Sequence, residues 1–220
     1  MKRHLITVAA ATAAFGVLSA CSSSTQAGHP AMSVSGRPMM SGADGSTSLN
    51  ASATPAAGAH NQADIAFATE MISHHGQAVQ MADMALTQAR NADVKTLARA
   101  IKAAQGPEIV QMSGWLVGWQ QPVPATSSGA MDGMGSGGQG GTGMMSDADM
   151  TSLGHATGAA FDRMWVSMMI GHHHGALSMA ASEQSTGQNP DAKKLAQSII
   201  TSQTAQITQL TALLSTLPSS

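Results

Sequence analysis

The sequence has no tyrosine, three phenylalanines, three tryptophans and one cysteine, and only 10% of its residues carry charge. Each shortage removes a class of function. Cys21 has no partner for a disulfide and no neighbours for a thiolate cluster, so cysteine-ligated metals and a paired-thiol redox site are excluded. No stripe of Lys and Arg exists, and a nucleic-acid partner is not expected. The glycines between 129 and 143 follow no predicted strand, so they make no phosphate-binding loop, and no serine sits in a nucleophile elbow. Asp64, Glu70 and Asp83 follow no acid–base pattern. No catalytic residue is assigned, and the sequence does not point to an enzyme.

What is present begins at the N-terminus. Lys2 and Arg3 precede an uncharged, largely apolar run from 5 to 17, followed by Leu18-Ser19-Ala20-Cys21. That order is a secretory signal with small residues before the cut. It resembles the bacterial lipoprotein signal, in which the cysteine receives fatty-acyl chains. The expectation is removal of 1–20 and a lipid anchor on Cys21. The protein then faces the periplasm or cell surface as a membrane-tethered lipoprotein. The apolar run is too short to span a bilayer, which takes roughly 20 residues.

Residues 21–60, rich in Ser, Ala, Gly, Thr and Pro, read as a flexible tether. Residues 120–154 form a second, Gly/Met-rich linker carrying Met131, Met134, Met144, Met145 and Met150. For Met131, Met134, Met144 and Met145 two readings stay open, a compositionally biased linker or a soft-metal capture segment.

The segments 61–119 and 155–217 repeat each other at an offset of 98. Asp64 falls on Asp162, Met71-Ile72 on Met169-Ile170, and His74-His75 on His172-His173. Met81-Ala82 falls on Met179-Ala180, Asn91 on Asn189, and Gln105 on Gln203. So many gapless identities point to internal duplication. Each repeat predicts a helical hairpin. The first helices span 62–88 and 158–186, and the second begin at Asn91 and Asn189, both good N-caps. Pro190 suits a first helical position, whereas Gly106-Pro107 predicts a kink in the second helix of repeat one. Short linkers make paired helices antiparallel. The expected fold is all-α, a four-helix bundle of two hairpins.

The chain has 17 methionines and nine histidines. At roughly 100° per residue, His172 falls within the apolar face near Met168 and Met179, His173 at its edge and His174 on the far side. His74 and His75 take the same inner and edge places in repeat one. Methionine is an ordinary core filler. Two inward histidines flanked by thioethers are costly unless they bind something. Thioether with imidazole suits a soft ion, Cu(I) first and Ag(I) second. Zinc sites prefer Cys, His or carboxylate. A di-iron centre needs Glu-x-x-His, but Glu70 lies four residues before His74.

Phe161-Asp162-Arg163-Met164-Trp165, Met168-Met169-Ile170, His172-His173, Gly175-Ala176 and Met179-Ala180 resemble a bacterial family, domain of unknown function 305. The chain looks like two tandem copies of its pattern. The resemblance implies an extracytoplasmic, ferritin-like helical protein, with copper binding and tolerance among some members. The ligand candidates it implies are Met71, His74, His75 and Met81, with Met169, His172, His173 and Met179. Met112 is a further thioether on a neighbouring helix. The rival reading is a metal-free scaffold or interaction module of the envelope, whose protein partner is unknown.

Overall fold

The computed structural model describes residues 58–126 and 143–218. The signal segment, Cys21, most of the tether, Met131 and Met134 lie outside the described residues.

Among the described residues the chain forms five helices and no strand: α1 (Gln62–Gln88), α2 (Ala92–Gly118), α3 (Asp147–His155), α4 (Gly158–Thr186) and α5 (Pro190–Thr216). The protein is an all-α bundle of two long hairpins, α1/α2 and α4/α5, with one short extra helix. Capping chemistry sets the boundaries. Asn91 accepts from the N–H groups of Asp93 and Val94, and Asn189 from those of Asp191 and Ala192. Each cap satisfies donors that the first turn leaves without a partner. α3 lies inside the stretch expected to be linker. A capping box starts it: Ser146 Oγ accepts from Asp149 N–H, and the Asp149 carboxylate accepts from Ser146 N–H.

α2 runs unbroken through Pro107. Pro107 and Ala103, whose carbonyl loses its usual donor, are both solvent-exposed. Water can bond that carbonyl, so the helix continues past the proline.

The hairpins meet chiefly through α1 and α4, which run antiparallel. Two aspartates fix this register reciprocally. The Asp162 carboxylate, at the start of α4, accepts from Arg90 N–H at 3.0 Å and Asn91 N–H at 2.9 Å in the α1–α2 turn. Asp64, at the start of α1, accepts from Gln188 N–H at 3.1 Å and Asn189 N–H at 2.8 Å in the α4–α5 turn. The partners recur at the offset of 98. Asp64 also accepts from Asn61 N–H at 2.6 Å, so it caps its own helix and seats the other hairpin.

Two apolar clusters fill the interior. One centres on Met81, Phe161, Trp165, Met169 and Leu210, with the Trp165 indole N–H donating to the Met81 carbonyl. The other holds Phe67, Met71, Ile72, Met112, Leu116 and Ile199. Along α1 and α4 the four paired histidines fall between these clusters.

Candidate metal centre

Helical spacing brings His74 of α1 and His172 of α4 to the same level of the antiparallel pair. Their ring centroids lie 3.6 Å apart, tilted by 34°. His75 and His173 follow at ring distances of 6.5 and 6.4 Å from their neighbours in sequence. All four are buried, with His172 and His173 at 0% exposure. The edge positions expected for His75 and His173 are therefore core positions. Each first helix packs against its hairpin partner as well as the opposite hairpin, which buries an arc wider than one apolar stripe. His75 turns to α2, where Nε2 lies 2.6 Å from Glu108 Oε2. His173 turns to α5, where Nε2 lies 2.7 Å from Gln206 Oε1.

Sequence reading passed over these outward partners. Both sit 33 residues after their histidine, a spacing the offset comparison could have revealed. It also passed over Gln105 and Gln203 as site residues. These lie one turn before Glu108 and Gln206, and both atoms of each side-chain amide are buried without a hydrogen-bond partner.

Electrostatics keep α4's histidines neutral. Burial, followed by the nearby His74, His173 and His75, holds His172 well below the ordinary histidine range. Burial also pushes His173 down to about 4, against the opposing pull of its Gln206 hydrogen bond. Neutral imidazole keeps the lone pair that a metal needs. Neither ring nitrogen of His172 has a side-chain hydrogen-bond partner, and Nδ1 of His75 and of His173 also lack one. Native interiors leave few buried polar atoms unpaired, and such groups are costly. Among the described residues most of them lie in the layer of the paired histidines, with the others on Gln88 and Glu183.

The thioether candidates divide between the two clusters. Met71 and Met112 are buried in one, with half-buried Met179 packed against it. Met81 and Met169 are buried in the other. Met81 and Met179 thus flank the histidine layer from opposite ends, and Met112 joins Met71 rather than Met81. Among the described residues no three His, Cys, Asp or Glu side chains converge as a metal-binding group. The residues that come together are two facing imidazoles, with a methionine-bearing apolar cluster on either side along the bundle. Imidazole with thioether is a donor set that suits a soft monovalent ion.

A family profile described as a domain of unknown function (DUF305) matches residues 64–214. The chain belongs to this family. One match spans both hairpins, so the DUF305 unit here is the whole bundle rather than each repeat. A Streptomyces coelicolor DUF305 protein described as secreted shares 32% identity and a TM-score of 0.61, over 70% of this chain and 92% of its own. CopM in its Cu(II)-bound form shares 36% identity and a TM-score of 0.58, over 69% of this chain and 95% of its own. The Cu(I)-bound form of CopM shares 33% identity and a TM-score of 0.55, over 68% and 94%. CopM is also known in a silver-bound form. No curated protein sequence matches the chain.

Proposed function

We propose that this DUF305 protein binds Cu(I), and Ag(I) by the same chemistry, at the histidine layer, and so buffers copper outside the cytoplasm. The carrying observation is His172. It is fully buried, its ring nitrogens have no side-chain hydrogen-bond partner, and it faces His74 at 3.6 Å. A side chain that serves only packing would be replaced at low cost by a hydrocarbon. Kinship with CopM, solved with copper and with silver, supports the choice of ion. His74 and His172 are the first ligands in this reading. His75, His173 and the thioethers of Met71, Met112, Met169, Met81 and Met179 complete the supply of donors. The secreted description of the Streptomyces relative supports an extracytoplasmic setting, and the signal pattern before Cys21 supports a lipid anchor. Among the described residues no helix is long and apolar enough to cross a membrane.

The test is anaerobic Cu(I) titration against a strong chelator. Wild type is compared with His172→Leu and with a variant replacing all four histidines. The His172→Leu variant should fold at least as stably as wild type and bind Cu(I) at least tenfold more weakly. Stoichiometric binding undiminished in a folded His172→Leu protein would defeat the assignment. Non-stoichiometric binding by wild type would leave the scaffold reading in its place.

A further inference from the structure

The buried layer leaves a second group of methionines unused. Met84, Met145, Met150, Met164 and Met168 all pack against the cluster around Trp165, and all five are only partly buried. The core methionines Met71, Met81, Met112 and Met169 are fully enclosed. The outer five reach one side of the bundle by separate routes. Met164 and Met168 stand one turn apart on α4 and line an open cleft of about 470 Å³. The returning linker crosses α4 at Gly143, whose positive φ of 70° and close approach to Gly171 and Gly175 admit no side chain. It then reaches α1, where Met145 N–H donates to Gln77 Oε1 at 2.7 Å and Gln77 Nε2 donates back to the Met145 carbonyl at 2.8 Å. α3 follows, bringing Met150, and its Gly154 lies against the Met84 methyl. Gly171 and Gly175 flank His172 in sequence, and Met168 precedes it by one turn.

We propose that these five thioethers form a separate outer site for a soft monovalent ion, Cu(I) or Ag(I), which captures the ion and passes it along α4 from Met168 to His172. The proposal rests on the buried layer binding the same ions. Thioethers carry no proton to displace, and soft sulfur prefers such ions over hard cations. Partial exposure gives an incoming ion access that the enclosed layer lacks. The cleft also holds Arg163, whose guanidinium is engaged by the carbonyls of Leu214 and Leu217. Packing alone would account for methionines anywhere on this surface. It does not account for a backbone crossing, tied to α4 at Gly143 and to α1 at Gln77, that fixes Met145 over the cluster that Met164 and Met168 also cover.

The test uses the full-length protein, methyl-13C-labelled at methionine and titrated with Ag(I). In the first equivalents, the methyl signals of Met84, Met145, Met150, Met164 and Met168 should shift before those of Met71 and Met169. In parallel, a variant with all five changed to leucine, a volume-conserving exchange, should bind at least one ion fewer than wild type. In His172→Leu, the outer methyls should still shift. If the five-leucine variant keeps full stoichiometry while His172→Leu loses an ion, the outer site is refuted and the inner reading stands. If the outer methyls respond in both wild type and His172→Leu with equal stoichiometry, the outer site stands and the inner reading fails. Early shifts confined to the core methionines of wild type would also overturn the proposal, even if the five-leucine variant did not fold.

Discussion

Glu183 offers the sharpest test of how the bundle is held together. It lies on α4 with 1% of its surface exposed, and its counterpart in the first hairpin is Ala85. Burial first, then the hydrogen bond and charge of Asp64, push its carboxyl up from 4.5 to about 8. Asp64 moves the other way. Burial opposes its ionisation, but the amides of Asn61 and Asn189, the Glu183 carboxyl and the amide of Gln188 outweigh it. Near neutral pH Glu183 therefore keeps its proton while Asp64 stays ionised. Because the folded state keeps this proton more tightly than the unfolded chain, the contribution of Glu183 is fully present below about 4.5 and lost as pH rises to about 8. The full displacement would correspond to a ceiling of about 5 kcal/mol. Relaxation and the effective dielectric of real interiors bring the expected value to roughly 1–3 kcal/mol. Glu183→Gln keeps the shape and the donor and removes the titration. Urea unfolding of both proteins at pH 5, 7 and 9 should show the variant gaining about 2 kcal/mol on wild type across that range. A gap that stays constant with pH would refute the retained-proton account.

Three further outcomes follow from the geometry. Asp162→Asn presents one donor where two amides need acceptors, and should cost about 1–3 kcal/mol in denaturant unfolding; a cost within error would mean that the α1–α2 turn is held by other contacts. Gly143→Ala meets the Gly171 carbonyl and a left-handed backbone, so the linker should detach from α4 and hydrogen exchange at Met145 N–H should quicken at least tenfold; an unchanged rate would show that the crossing tolerates a side chain. The isolated segment 155–217 should give no cooperative unfolding transition as a monomer, since its turn and one face of α4 depend on the first hairpin; a sharp transition would show that the hairpins are independent.

Much of the fold could be read from the chain. Periodicity and the Asn caps predicted α1, α4 and the starts of α2 and α5, because those signals are local. α3 escaped because its capping box, Ser146 to Asp149, sits in glycine-rich surroundings that mask nine helical residues. Pro107 does not end α2, because a broken helical bond costs little where water replaces it, and the spacing of Ile109, Met112, Leu116 and Trp119 already pointed to the helix resuming. The inward placement of His74 and His172 was visible in the helical pattern. Their face-to-face approach was not, since it depends on an antiparallel register set by Asp64 and Asp162. The burial of His75 and His173, and the sorting of Met71 and Met81 to opposite clusters, likewise depend on tertiary neighbours that no local signal encodes.

The reciprocal aspartates carry a consequence for assembly. Each hairpin exposes the acceptor that the other's turn requires, and each turn offers the donors that the other's aspartate requires. Nothing in that exchange demands that the two halves share one chain. If the connection between them were cut or shortened too far to fold back, the first hairpin of one molecule would meet the second hairpin of its neighbour with the same bonds. The histidine layer, drawing one inner ring from each half, would then be rebuilt twice in a swapped dimer, each copy shared between two molecules.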